Sequence, residues 1–488
     1  MTEEVVERLL KASTEERLRI VRAGIGADAL RRHLGDEAYA EYEALARRLD
    51  EGHLAPGAPK NLVFVPGVMG SQLQSRSKGG VWWIDVRTRA HIDDLALSPD
   101  GRADADNANE IIPFTTDPQY EPFLTAVLEQ PGFGHELFPF DWRKLPFESA
   151  AALRDLVVRL HDENGGKPVH LVGHSMGGLM IRAALVAYGD ELWSRVGRIV
   201  FLGTPHYGSP AIAGYLKNHL WGFDLLALLG FFLSRATFRS LWGVLAMLPA
   251  PRGIYPGTRR GDPEPWVVDG DDYVHPCANF DLYRAESWKL DLTAEESARL
   301  QRVLDGAAEF HRRLYEAHVT LTQDQRDRIA VIAGVGYKTL FRLAYESRLF
   351  GMWTRMEKLT QRIEGDRHRE GDGRVPLVSA ELENVHVHYV RGVHGGLPNI
   401  RAVSEGVFRF LREQDMRLPT TPREALSEHL APDGVSEAPH LDGSAGADAR
   451  SHDPGFLNLE PPDPAAVEDL RAALEREELP AFTRVRIL

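Results

Sequence analysis

A chain of 488 residues that is 43% apolar and 26% charged can bury a large core and exceeds one ordinary domain, so one large domain with additions is expected. Its net charge of −14 argues against a nucleic-acid partner and against electrostatic attraction to anionic lipid. The single cysteine, Cys277, excludes an internal disulfide, and nothing points to an oxidising compartment.

The first twenty residues are charged throughout, unlike a secretory leader, and no apolar run is long enough to span a bilayer. The expected location is cytoplasmic. Residues 1–55 place Val5, Leu9, Leu10, Leu18, Val21, Ile25, Leu30 and Leu34 near helical spacing. That pattern predicts an N-terminal helical extension whose apolar stripe must dock on something. A proline-bearing linker follows at 52–60.

Asn61 to Pro66 reads as a buried strand that runs into Gly67-Val68-Met69-Gly70, a loop suited to close approach of backbone to a ligand. Residues 81–84 form another core segment, and the Asp/Asn-rich stretch 98–118 reads as a surface loop. A short strand is expected at 136–141, ending in Asp141-Trp142-Arg143. Helical spacing over 147–160 closes on a Gly-Gly signal at 165–166. A strand at 169–172, a helix to about 187 and a strand at 198–203 come next. Strands and helices alternating at this pace predict a parallel sheet covered on both faces.

From about 210 to 327 the alternation stops. The most apolar stretch, 220–248, fits a buried helical hairpin or a cap whose inner face takes an acyl chain or meets an interface. Strands resume at 328–334 and 384–390, and a last helix is expected at 400–414. Residues 415–460 have the composition of a flexible linker, and 461–488 form a tail with one short helix.

Between the strand at 169–172 and its helix lies Gly173-His174-Ser175-Met176-Gly177, the context of a nucleophile elbow. Alone, this pentapeptide also fits any glycine-rich turn whose serine caps a helix. A nucleophilic Ser175 needs a histidine to take its proton and a carboxylate to orient that histidine. Asp372, flanked by glycines, and His394, just past the strand at 384–390, follow in the required order; Asp366 is the alternative acid. The developing oxyanion needs two backbone N–H groups. Met176 supplies one, and the Gly67–Gly70 loop supplies the other through Met69 first and Val68 second. No metal or cofactor is expected: His386 and His388 alternate on one strand face without ligand-spaced partners.

Five stretches, LVFVPGVMGSQL, FPFDWR, LVGHSMGGL, IVFLGTPHYGSP and EGDGRVPLVSA followed by VHGG, resemble the lecithin:cholesterol acyltransferase-like family of α/β-hydrolases. That family includes phospholipid:diacylglycerol acyltransferases and related phospholipases, and the likeness covers about residues 60–412. It implies an α/β-hydrolase fold: a mostly parallel sheet with helices on both faces and an inserted, largely helical cap. It also implies a serine acyl hydrolase or transferase, with Ser175, Asp372 and His394 at the family's triad positions and Met69 and Met176 at its oxyanion-hole positions. Asp141 and Arg143 read as structural, and His206 as shaping the pocket. Arg374 stands where the family pattern has threonine.

The resulting division is a helical extension at 1–55, a hydrolase domain at 60–414 with its cap at about 210–327, a linker at 415–460 and a tail at 461–488. The expected function is hydrolysis of lipid or long-chain esters through an acyl-enzyme. The alternatives are an O-acyltransferase using an alcohol acceptor and an inactive hydrolase-like interaction module. The partner is a lipid or ester substrate, with peripheral membrane contact through the cap, and the terminal segments carry no signature of what they bind.

Overall fold

The computed structural model describes residues 8–9, 12–34, 36–50, 59–83, 86–217, 233–259, 281–337, 339–348, 351–358 and 371–427. Its strands are β1 (Lys60–Val65), β2 (Ser71–Ser75), β3 (Val81–Trp83), β4 (Ile111–Thr116), β5 (Gly134–Leu137), β6 (Val169–His174), β7 (Val196–Leu202), β8 (Ile329–Val335), β9 (Leu340–Arg348), β10 (Gly351–Lys358) and β11 (His386–Arg391). Six of them form one sheet in the order β11-β8-β7-β6-β1-β5, with every neighbouring pair parallel.

A sheet covered on both faces needs strands that are apolar on both faces, and β8 is buried at every position. Alternate residues divide between the two layers. Val63, Val65, Leu171, Ile199 and Phe201 pack with Leu153, Val157, Leu160, Leu179 and Ile181 of the helices Ala150–Glu163 and Met176–Trp193. Leu62, Phe64, Val172, Val200 and Leu202 face Phe123, Val127, Val407 and Phe408 of the helices Glu121–Leu128 and Arg401–Leu411. The chain builds outward from β1 to β5, then returns to β6 on the other side of β1. The strand order therefore reverses between β1 and β6, and the carboxyl ends at such a switch point frame the usual ligand crevice of an open parallel sheet.

Several elements differ from the sequence expectation. The stretch 98–118 is not all loop: β4 lies within it and pairs with β2 in a three-stranded antiparallel sheet, β3-β2-β4. Asp104 closes the preceding turn by accepting the Ile111 N–H at 2.8 Å. The strand expected at 136–141 is shifted to Gly134–Leu137, after which the Phe140 N–H leaves the sheet for the Ser71 hydroxyl at 3.0 Å. An antiparallel hairpin, β9–β10, fills a region that carries no sequence signal.

The linker expectation also fails at its start. Residues 415–427 are docked on the edge strand β11: Tyr389 donates to the Pro419 carbonyl at 2.9 Å, Met416, Leu418 and Ala425 are buried, and a short helix spans Pro422–Ser427. A few apolar side chains within a polar stretch suffice to cover that edge.

The described part of the cap is helical. Its main element is the helix Ala294–Val319, opened by a reciprocal capping box between Thr293 and Glu296. Leu300, Val303, Leu304, Ala307, Phe310 and Leu314 bury its apolar stripe in the main core. Much of the apolar run at 220–248, together with Cys277, lies outside the described residues. Among the described residues no helix is long and apolar enough to cross a membrane.

Candidate active site

The carboxyl end of β6 turns into a helix at Ser175, whose φ of 53° and ψ of −126° are rarely adopted by a residue with a side chain. The turn is held by Ser175 N–H donating to the Leu202 carbonyl at 2.8 Å and by Gly178 N–H donating to the Ser175 carbonyl at 3.0 Å. Close approach dictates the flanking glycines. A Cβ at Gly173 would lie 2.7 Å from the Gly178 nitrogen, and one at Gly177 would lie 2.2 Å from the Val65 carbonyl oxygen. The serine side chain does not cap the helix. Its Oγ instead lies 2.9 Å from His394 Nε2.

His394 begins a 3-10 turn directly after β11. Its Nδ1 lies 2.7 Å from Asp372 Oδ2. The Asp372 side chain is buried, and its other oxygen, Oδ1, accepts the backbone N–H groups of Arg374 at 2.9 Å and Val375 at 2.7 Å. The carboxylate makes Nδ1 the protonated nitrogen of His394, leaving Nε2 as an acceptor for the serine hydroxyl. The His394 N–H donates to the Asp372 carbonyl at 3.0 Å, so ring and main chain are both anchored to one residue. The structure thus brings Ser175, His394 and Asp372 into one buried chain of hydrogen bonds at the ends of β6, β11 and β8. Asp366, the alternative acid, lies outside the described residues.

The two amides expected at the oxyanion site sit on either side of the strand-order reversal. Met176 opens its helix, where the first N–H groups have no intrahelical acceptor and lie at the positive end of the helix dipole. Met69, with φ of 59°, lies in a turn after β1 closed by Gly70 N–H on the Gly67 carbonyl at 3.1 Å. Trp83 Nε1–H donates to the Met69 carbonyl at 2.9 Å and fixes that peptide. Neither Val68 nor Met69 gives its N–H to an acceptor among the described residues. With a buried hydroxyl, a base and such donors, the constellation can form a covalent ester with an acyl group and stabilise the tetrahedral state on the way.

Two residues to which the sequence assigned no role stand beside it. His174 Nε2 lies 2.9 Å from the His394 carbonyl oxygen, and its Nδ1 lies 2.9 Å from the Tyr120 hydroxyl. The Gly67 N–H donates to that same hydroxyl at 3.1 Å. Burial, with the nearby His394 as a second cause, pushes His174 down to about 3. His174 was in plain view inside the elbow motif, whereas Tyr120 carried no signal.

The remaining candidates are engaged elsewhere. Arg143 is fully buried and forks onto Asp141 through Nε and Nη2, each at 2.8 Å, while its Nη1 donates to the Leu95 carbonyl at 3.1 Å. His206 Nδ1 is 3.3 Å from Arg182, whose other terminal nitrogen donates to the Leu314 carbonyl of the cap helix at 3.1 Å. His206 therefore supports the cap's seat. His388 Nδ1 donates to the Leu418 carbonyl at 3.2 Å, and His386 packs edge-on against Phe410. Among the described residues no group of three His, Cys, Asp or Glu side chains could hold a metal ion.

Residues 118–241, which include the elbow, match the family described as alpha/beta hydrolase fold. No curated protein matches the chain. Similar solved structures include a chain of the Tle4–Tli4 complex, at 15% identity over 73% of this chain and 99% of that one, with a TM-score of 0.46. The mature form of Bacillus licheniformis lipase BlEst2 is 14% identical over 74% of this chain and 94% of that one, with a TM-score of 0.35. The metagenomic carboxyl esterase MGS0156 is 14% identical over 74% and 77%, with a TM-score of 0.32. Likenesses this distant leave the reaction to be argued from the site itself. The parallel six-stranded order, its covering helices and the match across the elbow give this chain the α/β-hydrolase fold.

Proposed function

We propose that the protein is a serine ester hydrolase acting on lipid or long-chain esters. The observation that supports this most is the continuous buried contact from Ser175 Oγ to His394 Nε2 at 2.9 Å and from His394 Nδ1 to Asp372 at 2.7 Å. Ser175 Oγ attacks the acyl carbon while its proton passes to His394 Nε2. Asp372 holds the ring in the working tautomer and stabilises the imidazolium. The oxyanion is received by the Met176 amide and the amide of the Gly67–Gly70 turn, with Met69 the leading donor. Collapse breaks the bond to the alcohol, which leaves with the proton from Nε2. Water, activated by the same nitrogen, then attacks the acyl-enzyme and releases the acid.

The long-chain preference is supported by the surroundings. Val68 and Met69 pack part-exposed against the apolar core. An apolar wall beside a few polar reacting groups suits an acyl chain.

Two measurements test the reading. A fluorophosphonate should add to Ser175 in the native protein and fail to add in Ser175→Ala; a folded wild type that resists the probe would leave only a non-catalytic interaction module. Mass spectrometry of products from a lipid-class panel, run with added alcohol, should find free acid in excess. Acylated alcohol in excess would convert the assignment to an acyltransferase.

A further inference from the structure

The turn that carries Met69 and the main chain of His394 belong to segments more than 320 residues apart, yet one pair of buried side chains joins them. The Tyr120 hydroxyl accepts the Gly67 N–H at 3.1 Å, and it sits in the crook of the turn because Gly67 and Gly70 leave room for it. A Cβ at Gly70 would come within 2.7 Å of that oxygen. The same oxygen is 2.9 Å from His174 Nδ1, and His174 Nε2 is 2.9 Å from the His394 carbonyl oxygen. A carbonyl can only accept, so Nε2 carries the proton and Nδ1 is the lone pair that receives the Tyr120 O–H. Every donor and acceptor along this line has one consistent assignment.

We propose, resting on the Ser175 acyl-transfer reading, that Tyr120 and His174 are positioning residues forming a relay that sets the oxyanion turn and the His394 main chain together. The relay reaches His394 at its carbonyl, whereas Asp372 meets its ring and its N–H. The Asp372 carbonyl accepts the His394 N–H, and His174 Nε2–H donates to the His394 carbonyl, so the residue bearing the base is gripped at both of its peptide groups. Tyr120 is itself fixed: Asp117, which caps the turn Pro118–Tyr120, donates its N–H to the Gly70 carbonyl at 2.8 Å. The His174 and His394 rings are 5.0 Å apart between centroids, and a neutral His174 does not oppose the positive charge that His394 gains when Ser175 attacks. A donor group displaced by a few tenths of an ångström loses much of its worth to a developing oxyanion.

Steady-state hydrolysis of a p-nitrophenyl ester by wild type, Tyr120→Phe, His174→Gln and the double variant tests this. Tyr120→Phe empties the Gly67 acceptor and the His174 donor at once, and kcat should fall about 10- to 100-fold with KM within about threefold. His174→Gln keeps a donor for the His394 carbonyl but offers Tyr120 no matching lone pair, so it should fall by a similar factor. The double variant should fall no further than the weaker single one, because two links of one relay are not independent. Unchanged kcat per folded molecule, with only a lower melting temperature, would overturn the relay, and so would losses that multiply.

Imidazole nitrogen NMR of the wild type covers the case in which the variants do not fold. His174 should be the Nε2–H tautomer and stay neutral at pH 5; an Nδ1–H tautomer or titration near the ordinary histidine range would overturn the relay. This readout needs no turnover. A wild type that lacks Ser175-dependent esterase activity therefore refutes the function without being mistaken for failure of the relay.

Discussion

Arg17, in the first turn of the helix Thr14–Arg22, is buried in an ion pair with Glu121, the residue that follows Tyr120. Its Nη2 also donates to the Thr115 hydroxyl at 2.8 Å, and its Nε donates to the Leu9 carbonyl at 3.1 Å. The N-terminal helices, which keep a small core of their own around Leu18, Leu30 and Tyr39, are thereby fastened to the hydrolase fold beside the Gly67–Gly70 turn. Both side chains are less than 5% exposed, so removing one leaves a buried charge without its partner. Arg17→Ala should cost about 3–5 kcal/mol in urea unfolding, while Arg17→Met with Glu121→Leu should recover much of that loss. Equal stability of Arg17→Ala and wild type would show that the ion pair contributes nothing.

Acid should weaken the fold well before carboxylates titrate. Burial is the leading cause that lowers His135, His174 and His318 to about 3 and His170 and His311 to about 4. Each has a folded value below its unfolded value of about 6.5, so the unfolded chain binds the extra proton. The stabilising contribution is complete above pH 6.5 and is lost as pH falls from there toward 3–4. The urea midpoint should therefore hold between pH 8 and 7 and drop steadily from pH 6.5 to 4. His311 Nε2 donates to the Leu248 carbonyl at 2.8 Å, a bond that glutamine can reproduce. In His311→Gln the drop should be shallower, by an amount on the order of 1 kcal/mol or more at pH 4.5. A midpoint flat from pH 7 to 5 would contradict the neutral, buried state of these rings.

The proposed role of Asp372 places no demand on the side chain at position 374. Asp372 Oδ1 is held by the backbone N–H groups of Arg374 and Val375, and among the described residues the Arg374 side chain reaches only the Tyr215 hydroxyl, at 3.5 Å. The carboxylate depends on the peptide and not on the guanidinium. Asp372→Asn should lower kcat by about 10⁴, because an amide no longer selects the Nδ1–H tautomer of His394. Arg374→Thr should change kcat/KM by less than about threefold. A loss of a hundredfold in Arg374→Thr would place the guanidinium itself at the reacting groups.

Sequence made Ser175 and His394 visible because each follows an apolar run that stops abruptly at a strand end, whereas Asp372, which comes after the β9–β10 hairpin, was marked by its flanking glycines and its place in the order Ser, Asp, His. The glycines around Ser175 were legible for the same local reason. Tyr120 was not: its partners are Gly67 and His174, and only the packing of the helix Glu121–Leu128 on the sheet brings them together. The strand β4 hid in an Asp/Asn-rich stretch because IIPFTT is short and pairs with the polar SQLQS of β2. Residues 415–427 read as linker for a related reason. Their ordering comes from covering β11, a tertiary contact that local composition does not encode.

Glycine substitutions in the element Met176–Trp193 should have opposite signs on the two sides of its kink at Tyr188. At Gly177 an added methyl would meet the Val65 carbonyl oxygen at 2.2 Å, backbone that cannot move without displacing the Gly67–Gly70 turn. Gly177→Ala should cost roughly 1–3 kcal/mol or more and slow fluorophosphonate labelling of the fraction that folds. Gly189 follows Tyr188, whose φ of −135° and ψ of 36° kink the element, and its added Cβ would find only Trp193 at an ordinary 3.9 Å among the described residues. There alanine restricts the unfolded chain without meeting a clash, so Gly189→Ala should gain about 0.4–1 kcal/mol with labelling unchanged. Urea unfolding of both variants beside the wild type reads the pair directly. A stabilised Gly177→Ala would mean that the helix does not press on β1, and the close approach that exposes Ser175 would have to be abandoned.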